Sequence, residues 1–410
     1  MSVVLGVMSK ILSILVLLVL GLPGLSFADG KALSLTEYLD LVEAQSPDLS
    51  VEKAKVEAVQ ARASGIRLSP PMVGYMQMKD GSGTNQGYEI SQEIPFPTKL
   101  SKDKEARNLE SDSQKEMSKL QRMIVLADAR VAYLDFWSAY SKLEIQREKL
   151  AWLKGHVKVT QSSSWSDTSA KAHLLEVESD RDLLENDVLS MESELVTARS
   201  ALRSYAPELN SNDIVPVEPP TLKIEIEKSA SNPALQVKEK ELEALSAREA
   251  FQKQSYLPDF FVRLRSYNGN ETSPQSQELM VGMSLPFVFF WQSKADVAEA
   301  TAMRAKAEAE LKKTKVDLET RVLSFTKKLE INQIQLKNLK ESLIPRAEKR
   351  MKLVRNLSTR TMEGLDQHKS VMLGLLDLKI KAIDLRLEFE KNLRELLKLG
   401  AQNSGEGVTR

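Results

Sequence analysis

One transition is written twice in this chain. "QEIPFPTKLS" runs from Gln92 to Ser101, and "GMSLPFVFFWQSK" runs from Gly282 to Lys294. Each is an alternating stretch that reaches a Pro-aromatic step and then opens a long charged, Ala-rich segment. The duplication extends upstream. "SPDLSVEKAKVEAVQAR" (Ser46 to Arg62) lies over "NPALQVKEKELEALSAR" (Asn232 to Arg248), with Pro47 on Pro233, Leu49 on Leu235 and Val51 on Val237. Pro70 then falls on Pro258, and Pro95 on Pro286. The register drifts only where loops absorb insertions. A chain built this way is two diverged copies of one unit, and any fold must place both equivalently. The divide is "APELNSNDIVPVEPP" (Ala206 to Pro220), which cannot be a regular helix. The expected organisation is a first repeat at 29–206, a Pro-rich linker at 207–221, a second repeat at 222–400 and a polar tail at 401–410.

Within each repeat the order is the same. A helix ending near Ser69 or Gln254 leads into two short alternating runs around a polar turn. In "DFFVRLRSY", Phe260, Val262 and Leu264 oppose Arg263 and Arg265. In "YEISQEI", Tyr88, Ile90 and Ile94 oppose Glu89, Ser91 and Glu93, with Gln92 as an exception. Leu279, Val281, Met283 and Leu285 share one face of the last run. A period of two predicts strands with one apolar and one charged face.

After each Pro-aromatic step the period changes. Val322, Leu329, Leu336 and Leu343 recur every seven residues, and Leu311, Leu318, Phe325 and Leu339 interleave, with Asn332 in a polar slot. The last helix repeats the pattern at Val371, Leu375, Leu378, Ala382, Leu385, Phe389, Leu396 and Leu399. This predicts coiled-coil seams on helices far longer than ordinary globular ones. Pro345 should kink its helix by removing a backbone bond. "QSSSWSDTS" (Gln161 to Ser169) and "NLSTRTMEG" (Asn356 to Gly364) reverse each long helix into another.

Composition removes several function classes. Lys plus Arg and Asp plus Glu balance at 57 each, so no bulk charge points to nucleic acid. The absence of cysteine excludes disulfides, thiolate metal sites, a thiol nucleophile and an N-terminal lipid-modified cysteine. His156, His173 and His368 are scattered along the sequence and read as solvated helix-surface residues, so no metal site is expected. No phosphate loop, HExxH or nucleophile elbow is present, Gly81-Ser82-Gly83 is only a turn, and neither catalytic residues nor a cofactor are expected. At the N-terminus, "ILSILVLLVL" is too short for a comfortable membrane span, and Ser26-Phe27-Ala28 offers a small-x-small cleavage pattern. Residues 1–28 therefore read as a signal peptide.

The strands then pose a physical problem. A lone hairpin is marginal in water, and four strands cannot close a membrane barrel that needs about eight. Several chains contributing four strands each can. An apolar outer face and a charged inner face suit a lipid-facing wall around a watery lumen.

The order of these phrases resembles the outer membrane efflux protein family, the TolC-type channel-tunnels, over about Leu33 to Gly400. The residues that carry it are "SPDL" and "NPAL", "YLPDF" before a strand, "SLPF" before a long Ala-rich helix, "ESLIPRAEKR" (Glu341 to Arg350) and "LRELLKLG" (Leu393 to Gly400). "QEIPFPTKLS" is similar to the "IPFPGK" phrase of the cation-efflux branch, with Thr98 where that branch usually has Gly. The Tyr-x-x-Gly phrase that often precedes each helical tip is absent from "VRNLSTRT" and "VKVTQSSSW". The resemblance implies a mainly α chain with a small β part. Long helical hairpins would form a periplasmic α-barrel, and four strands per chain would join an intermolecular β-barrel. It further implies a homotrimer in outer membrane lipid, with a large periplasmic part. That trimer would dock onto an inner-membrane pump through a periplasmic adaptor, as the passive duct of an efflux or type I secretion system.

On that reading Pro95, Pro97 and Pro286 mark the strand-to-helix transitions at the membrane boundary. A tunnel must constrict at its inner end. Asp366 and Glu363 are the candidate aperture residues, with Arg360 as a latch and Asp167 as the comparable residue of the first tip. The alternative is a periplasmic coiled-coil adaptor or scaffold without a barrel. It accounts for the helices but has no use for amphipathic strand pairs duplicated in register.

Overall fold

The computed structural model describes residues 31–80, 83–163, 168–210, 214–220, 232–268, 275–285, 290–355 and 362–399. The expected signal segment and the polar tail lie outside them. The first repeat runs β1 (Lys31–Leu33), α1 (Leu35–Gln45), α2 (Pro47–Ala63), β2 (Met72–Asp80), β3 (Gly83–Ile94), α3 (Pro97–Ser163) and α4 (Thr168–Tyr205). After β4 (Ile214–Pro216) the second repeat runs α5 (Pro233–Gln252), β5 (Phe260–Tyr267), β6 (Ser276–Met283), α6 (Phe290–Asn338), α7 (Ile344–Arg355) and α8 (Met362–Lys398).

Local chemistry sets the boundaries. Ser34 and Glu37 form a capping box: the Ser34 hydroxyl accepts from Glu37 N at 3.3 Å, and the Glu37 carboxylate accepts from Ser34 N at 2.9 Å. Pro47 and Pro233 both stand at the first helical position, where a missing N–H costs nothing. α2 ends at Ala63, short of the expected Ser69, because Gly65 takes a left-handed φ of 73°. Arg107 of α3 then donates to the carbonyls of Arg62 (2.9 Å), Ala63 and Gly65 (both 3.3 Å), completing that end. α5 stops at Gln252, and a single 3-10 turn (Lys253–Tyr256) leads to the strand.

The expected effect of Pro345 takes a specific form. Leu339–Leu343 is a π-turn between α6 and α7, and Ile344 N donates to Leu339 O, five residues back. The widened turn makes room for a ring that would otherwise collide with the carbonyl four residues earlier.

α3 has 67 residues, roughly 100 Å at about 1.5 Å per residue. It packs against α2, α4, α5 and α8, while α6 packs against α5 and α8. The predicted α6 seam faces inward where Leu329, Asn332, Leu336 and Leu339 are buried, and Leu343 lies outside it. On α8, Val371, Leu375, Ala382, Phe389 and Leu396 are buried as the heptad requires.

The largest core was not visible in the sequence. Linker residues Ile214–Pro216 pair in parallel with Lys31–Leu33, so the connection between repeats folds back onto the start of the first. Tyr133 of α3 seals this pair. Its hydroxyl lies 2.7 Å from Leu33 O and 2.8 Å from Val217 O, and accepts from Val217 N at 3.0 Å. Burial pushes that phenol up to about 12. Leu33, Tyr38, Phe136, Leu202 and Ile214 pack around it.

A second anchor joins α3 to α8. Arg130 donates to both oxygens of Glu390, at 2.7 and 3.2 Å, and Arg386 reaches Glu390 Oε1 at 2.7 Å. The Glu390 side chain is 0% exposed.

Candidate functional site

The four long strands form one antiparallel sheet in the order β2-β3-β5-β6. Its register turns four separate alternations into rows. Val73 pairs with Ile90, Ile90 with Leu264 and Leu264 with Leu279; Tyr75 pairs with Tyr88, and Ile94, Phe260 and Met283 line up in the same way. Val73, Tyr75, Tyr88, Ile90, Leu264, Leu279, Val281 and Met283 are all exposed, giving an apolar face with nothing of its own chain over it. The opposite face aligns Gly74, Glu89, Arg265 and Glu278. There the Glu89 carboxylate accepts from Arg265 Nε at 2.8 Å and pairs with the Arg263 guanidinium, whose Nε lies 3.0 Å away. Gln92, the polar residue on the apolar face, turns its amide to the carbonyls of Ser69 (2.7 Å) and Glu93 (2.8 Å) at the strand end.

Two glycines are dictated by this sheet. A Cβ on Gly87 would stand 2.4 Å from the carbonyl oxygen of Ser266, and one on Gly282 would enter the Phe261 ring of the neighbouring strand. The outer edges of β2 and β6 have no strand partner among the described residues.

Below the sheet, the strand-to-helix step is built around a residue that sequence reasoning passed over. Asp259, in "YLPDF", accepts from Phe96 N at 3.0 Å and holds the Lys99 ammonium. Its own backbone N donates to the Ser284 hydroxyl at 2.9 Å, and its carbonyl accepts from Ser284 N at 2.7 Å. The rings of Phe96 and Phe260 stack with centroids 6.0 Å apart. Pro97 is the first residue of α3, with Pro95 two residues before it. Thr98, at the unusual Gly position, donates to Gln254 at 2.8 Å. Pro286 lies outside the described residues. Trp291, in the first turn of α6, is exposed.

At the other end of the long helices, Arg360 and Asp167 also lie outside the described residues. Glu363 is exposed in the first turn of α8. Asp366 is half-exposed and directs Oδ1 to His173 Nε2 of α4, 3.0 Å away.

The expectation of scattered, solvated histidines is corrected here. His156 of α3 is buried, its ring stacked on Trp152 with centroids 5.2 Å apart and set edge-on to His173 at 6.4 Å. His368 of α8 packs on Trp152 at 5.5 Å. The reason is geometric. α3 and α4 are antiparallel about one reversal, so residues equally far before and after it face each other, and 156 and 173 nearly satisfy that relation. Burial, reinforced by the charge of Lys369, holds His156 below the usual imidazole value. Burial and Arg355 do the same to His368. Lys369 pairs with Asp180 at 2.8 Å and approaches Glu176 at 3.8 Å.

Among the described residues no helix is long and apolar enough to cross a membrane. No protein-family model matches the sequence, and no curated protein matches it either. Solved structures do. The Campylobacter jejuni CmeC outer membrane channel superposes with a TM-score of 0.76 at 11% identity, covering 92% of this chain and 87% of that one. CusC gives 0.71 at 13% identity, with 90% of this chain and 92% of that one covered. The Neisseria gonorrhoeae MtrE outer membrane channel gives 0.70 at 12%, with 90% and 89% covered. At these identities the likeness is one of architecture, and it runs through the helices and the sheet alike. The chain has the fold of the TolC-type outer membrane efflux channels.

Proposed function

We propose that this protein is the outer membrane duct of a tripartite export system. Three copies each contribute four strands to a 12-stranded barrel, and their long helices continue the wall as a periplasmic tunnel. The observation that carries the reading is the sheet: an exposed apolar face, an opposite face organised around Glu89, Arg263 and Arg265, and two outer edges without a strand partner among the described residues. Edges left open in this way join those of neighbouring copies, and lipid covers the apolar face. The helices carry a matching demand. Leu175, Leu183, Leu189 and Val196 on α4, and Val316, Leu323, Ile331 and Ile334 on α6, are more than half exposed on helices otherwise packed inside the chain. Adjacent copies in an α-barrel cover such stripes. The apolar segment before Ala28 directs export. A periplasmic adaptor joins the tunnel to an inner-membrane pump, which supplies energy and substrate choice. The duct itself performs no catalysis.

The inner aperture is assigned to the two tips, with Glu363 facing the axis, Asp366 one turn further along α8 at its margin, Arg360 as a latch and Asp167 in the first tip. Arg360→Ala then raises single-channel conductance, and Glu363→Ala lowers cation selectivity.

Deletion of Met72 to Ile94 is the decisive experiment. The reading expects loss of bilayer conductance and trimer insertion, with the helical circular dichroism largely kept. Conducting trimers from the deleted chain would overturn the barrel. A parent protein found in the soluble periplasmic fraction, without detergent, would favour the adaptor alternative.

A further inference from the structure

We propose that His156, His173 and Asp366 form a binding site for one divalent transition-metal cation of the zinc type, which ties α8 to the α3–α4 hairpin within one chain. The site requires no barrel and stands apart from the duct reading.

One ligand atom from each of these three residues lies within 4.8 Å of the other two. Donors around a tetrahedral Zn2+ stand about 3.3 Å apart, given metal–nitrogen bonds of about 2.0–2.1 Å. The edge from His173 Nε2 to Asp366 Oδ1, at 3.0 Å, already has nearly that length. The remaining edges are at most 4.8 Å, so closing them takes a shift of no more than about 1.5 Å.

The second observation is that these atoms are unspent. His156 Nε2, His173 Nε2 and Asp366 Oδ1 are all buried without a hydrogen-bond partner, although two of them nearly touch. The close approach therefore lacks the alignment of a hydrogen bond. His156 as a whole is only 5% exposed. Buried nitrogens and oxygens are rarely left in this state, and three around one point call for a common partner. The His173–Asp366 ion pair accounts for the closeness of two of these atoms, but it leaves His156 Nε2 buried beside them with no partner.

The donor chemistry selects the class. Two imidazoles and one carboxylate suit Zn2+, Co2+ or Ni2+ and leave a position open for water. Ca2+ and Mg2+ prefer all-oxygen shells. Glu176 Oε2 stands 3.8 Å from His173 Nδ1, on the side of the ring away from the site, the position an outer carboxylate takes behind a metal-bound imidazole. Trp152 braces the His156 ring. Carboxylates surround the site: Asp366 lies against His173, and Glu176 and Asp180 flank the Lys369 ammonium.

The test uses the full chain purified in detergent, stripped of metal by dialysis and titrated with Zn2+ by calorimetry. Co2+ serves as a spectroscopic probe of coordination. One Zn2+ per chain is expected. Asp366→Asn and His156→Phe, the latter retaining a ring against Trp152, should each weaken binding more than about 100-fold, beyond the roughly 10–100-fold that loss of an outer partner typically costs. His368→Phe should bind as the parent does. Circular dichroism and native size check that each variant folds. Because Asp366 is half-exposed, Asp366→Asn decides the matter if His156→Phe does not fold. A parent chain that binds no Zn2+, variants with parent affinity, or loss of binding only in His368→Phe would each overturn the assignment.

Discussion

The Lys99 ammonium lies 2.8 Å from each carboxylate oxygen of Asp259. Lys99 belongs to the first turn of α3 in the first repeat, and Asp259 immediately precedes β5 in the second. The same carboxylate accepts from Phe96 N, and the Asp259 backbone is bonded to Ser284 beyond β6. Both strand-to-helix transitions are therefore fastened to one residue. Duplication supplied two similar junctions, and Asp259 makes each depend on the other.

Asp259→Ala should loosen this junction more than any neighbouring surface change. It removes a charge-assisted pair and leaves Lys99, only 12% exposed, without its anion. Hydrogen bonds to charged groups contribute about 1.5–3 kcal/mol, and partial exposure places this one at the lower end. The expected outcome is a lower thermal midpoint and fewer assembled oligomers, with Asp259→Asn falling between parent and Ala. Parent-like assembly in Asp259→Ala would remove the junction role.

Glu390 is the corresponding point in the helical part. Its fully buried carboxylate is shared by Arg130 and Arg386, and burial already disfavours the charged Arg386 guanidinium. Glu390→Gln leaves two buried cations without an anion, which typically costs about 3–5 kcal/mol. Replacing all three residues with Met or Leu of similar volume should recover most of that loss. Denaturant midpoints of the two variants make the comparison, and equal midpoints would contradict it.

Much of this architecture was legible in the chain, for identifiable reasons. The strands declared themselves because one face of the sheet is apolar throughout, so Phe260, Val262 and Leu264 alternate with Arg263 and Arg265. The seams of α6 and α8 were legible because Leu329, Leu336, Val371 and Leu375 keep a sustained seven-residue repeat. Three features were hidden. The pairing of Ile214–Pro216 with Lys31–Leu33 joins residues far apart, each too short to show a period. The role of Asp259 depends on partners from three separate segments. The histidines looked scattered because their meeting depends on where α3 and α4 reverse, and on α8 arriving beside them. Periodicity reports which face a residue occupies, and only tertiary contacts report what meets it there.

Acid should weaken the contact between α5 and α6. Hydrogen bonding from Lys253 first, then Thr301 and the nearby Arg304 charge, hold the Glu249 carboxyl below its ordinary value of 4.5. A carboxylate lowered by folding contributes stability that is complete above its unfolded value and disappears as pH falls through the lowered one. Glu249→Gln should therefore be less stable than the parent at pH 7. The gap between their denaturant midpoints should narrow below about pH 4.5. A gap that stays constant across that range would mean that Glu249 contributes through packing alone.

Neighbouring residues on β2 offer the sharpest test of which face meets lipid. Val73 is 72% exposed and starts the row that runs through Ile90, Leu264 and Leu279, near the middle of β5 and β6. Gly74, one residue on, points to the opposite face and pairs with Glu89, and a Cβ added there meets nothing within 4 Å. Lysine at the first position would put an ammonium among lipid chains, at a cost of about 2–4 kcal/mol near the bilayer midplane. Lysine at the second would stand beside an acidic residue in a watery lumen. Val73→Lys should thus lower the yield of inserted channels at least tenfold, since about 1.4 kcal/mol already corresponds to that factor. Gly74→Lys should insert normally and shift the ion selectivity of the current toward anions. Insertion frequency and reversal potential in planar bilayers measure the two effects. If Gly74→Lys blocked insertion while Val73→Lys conducted normally, the faces would be reversed. The charged row around Glu89 would then need an explanation other than a lumen.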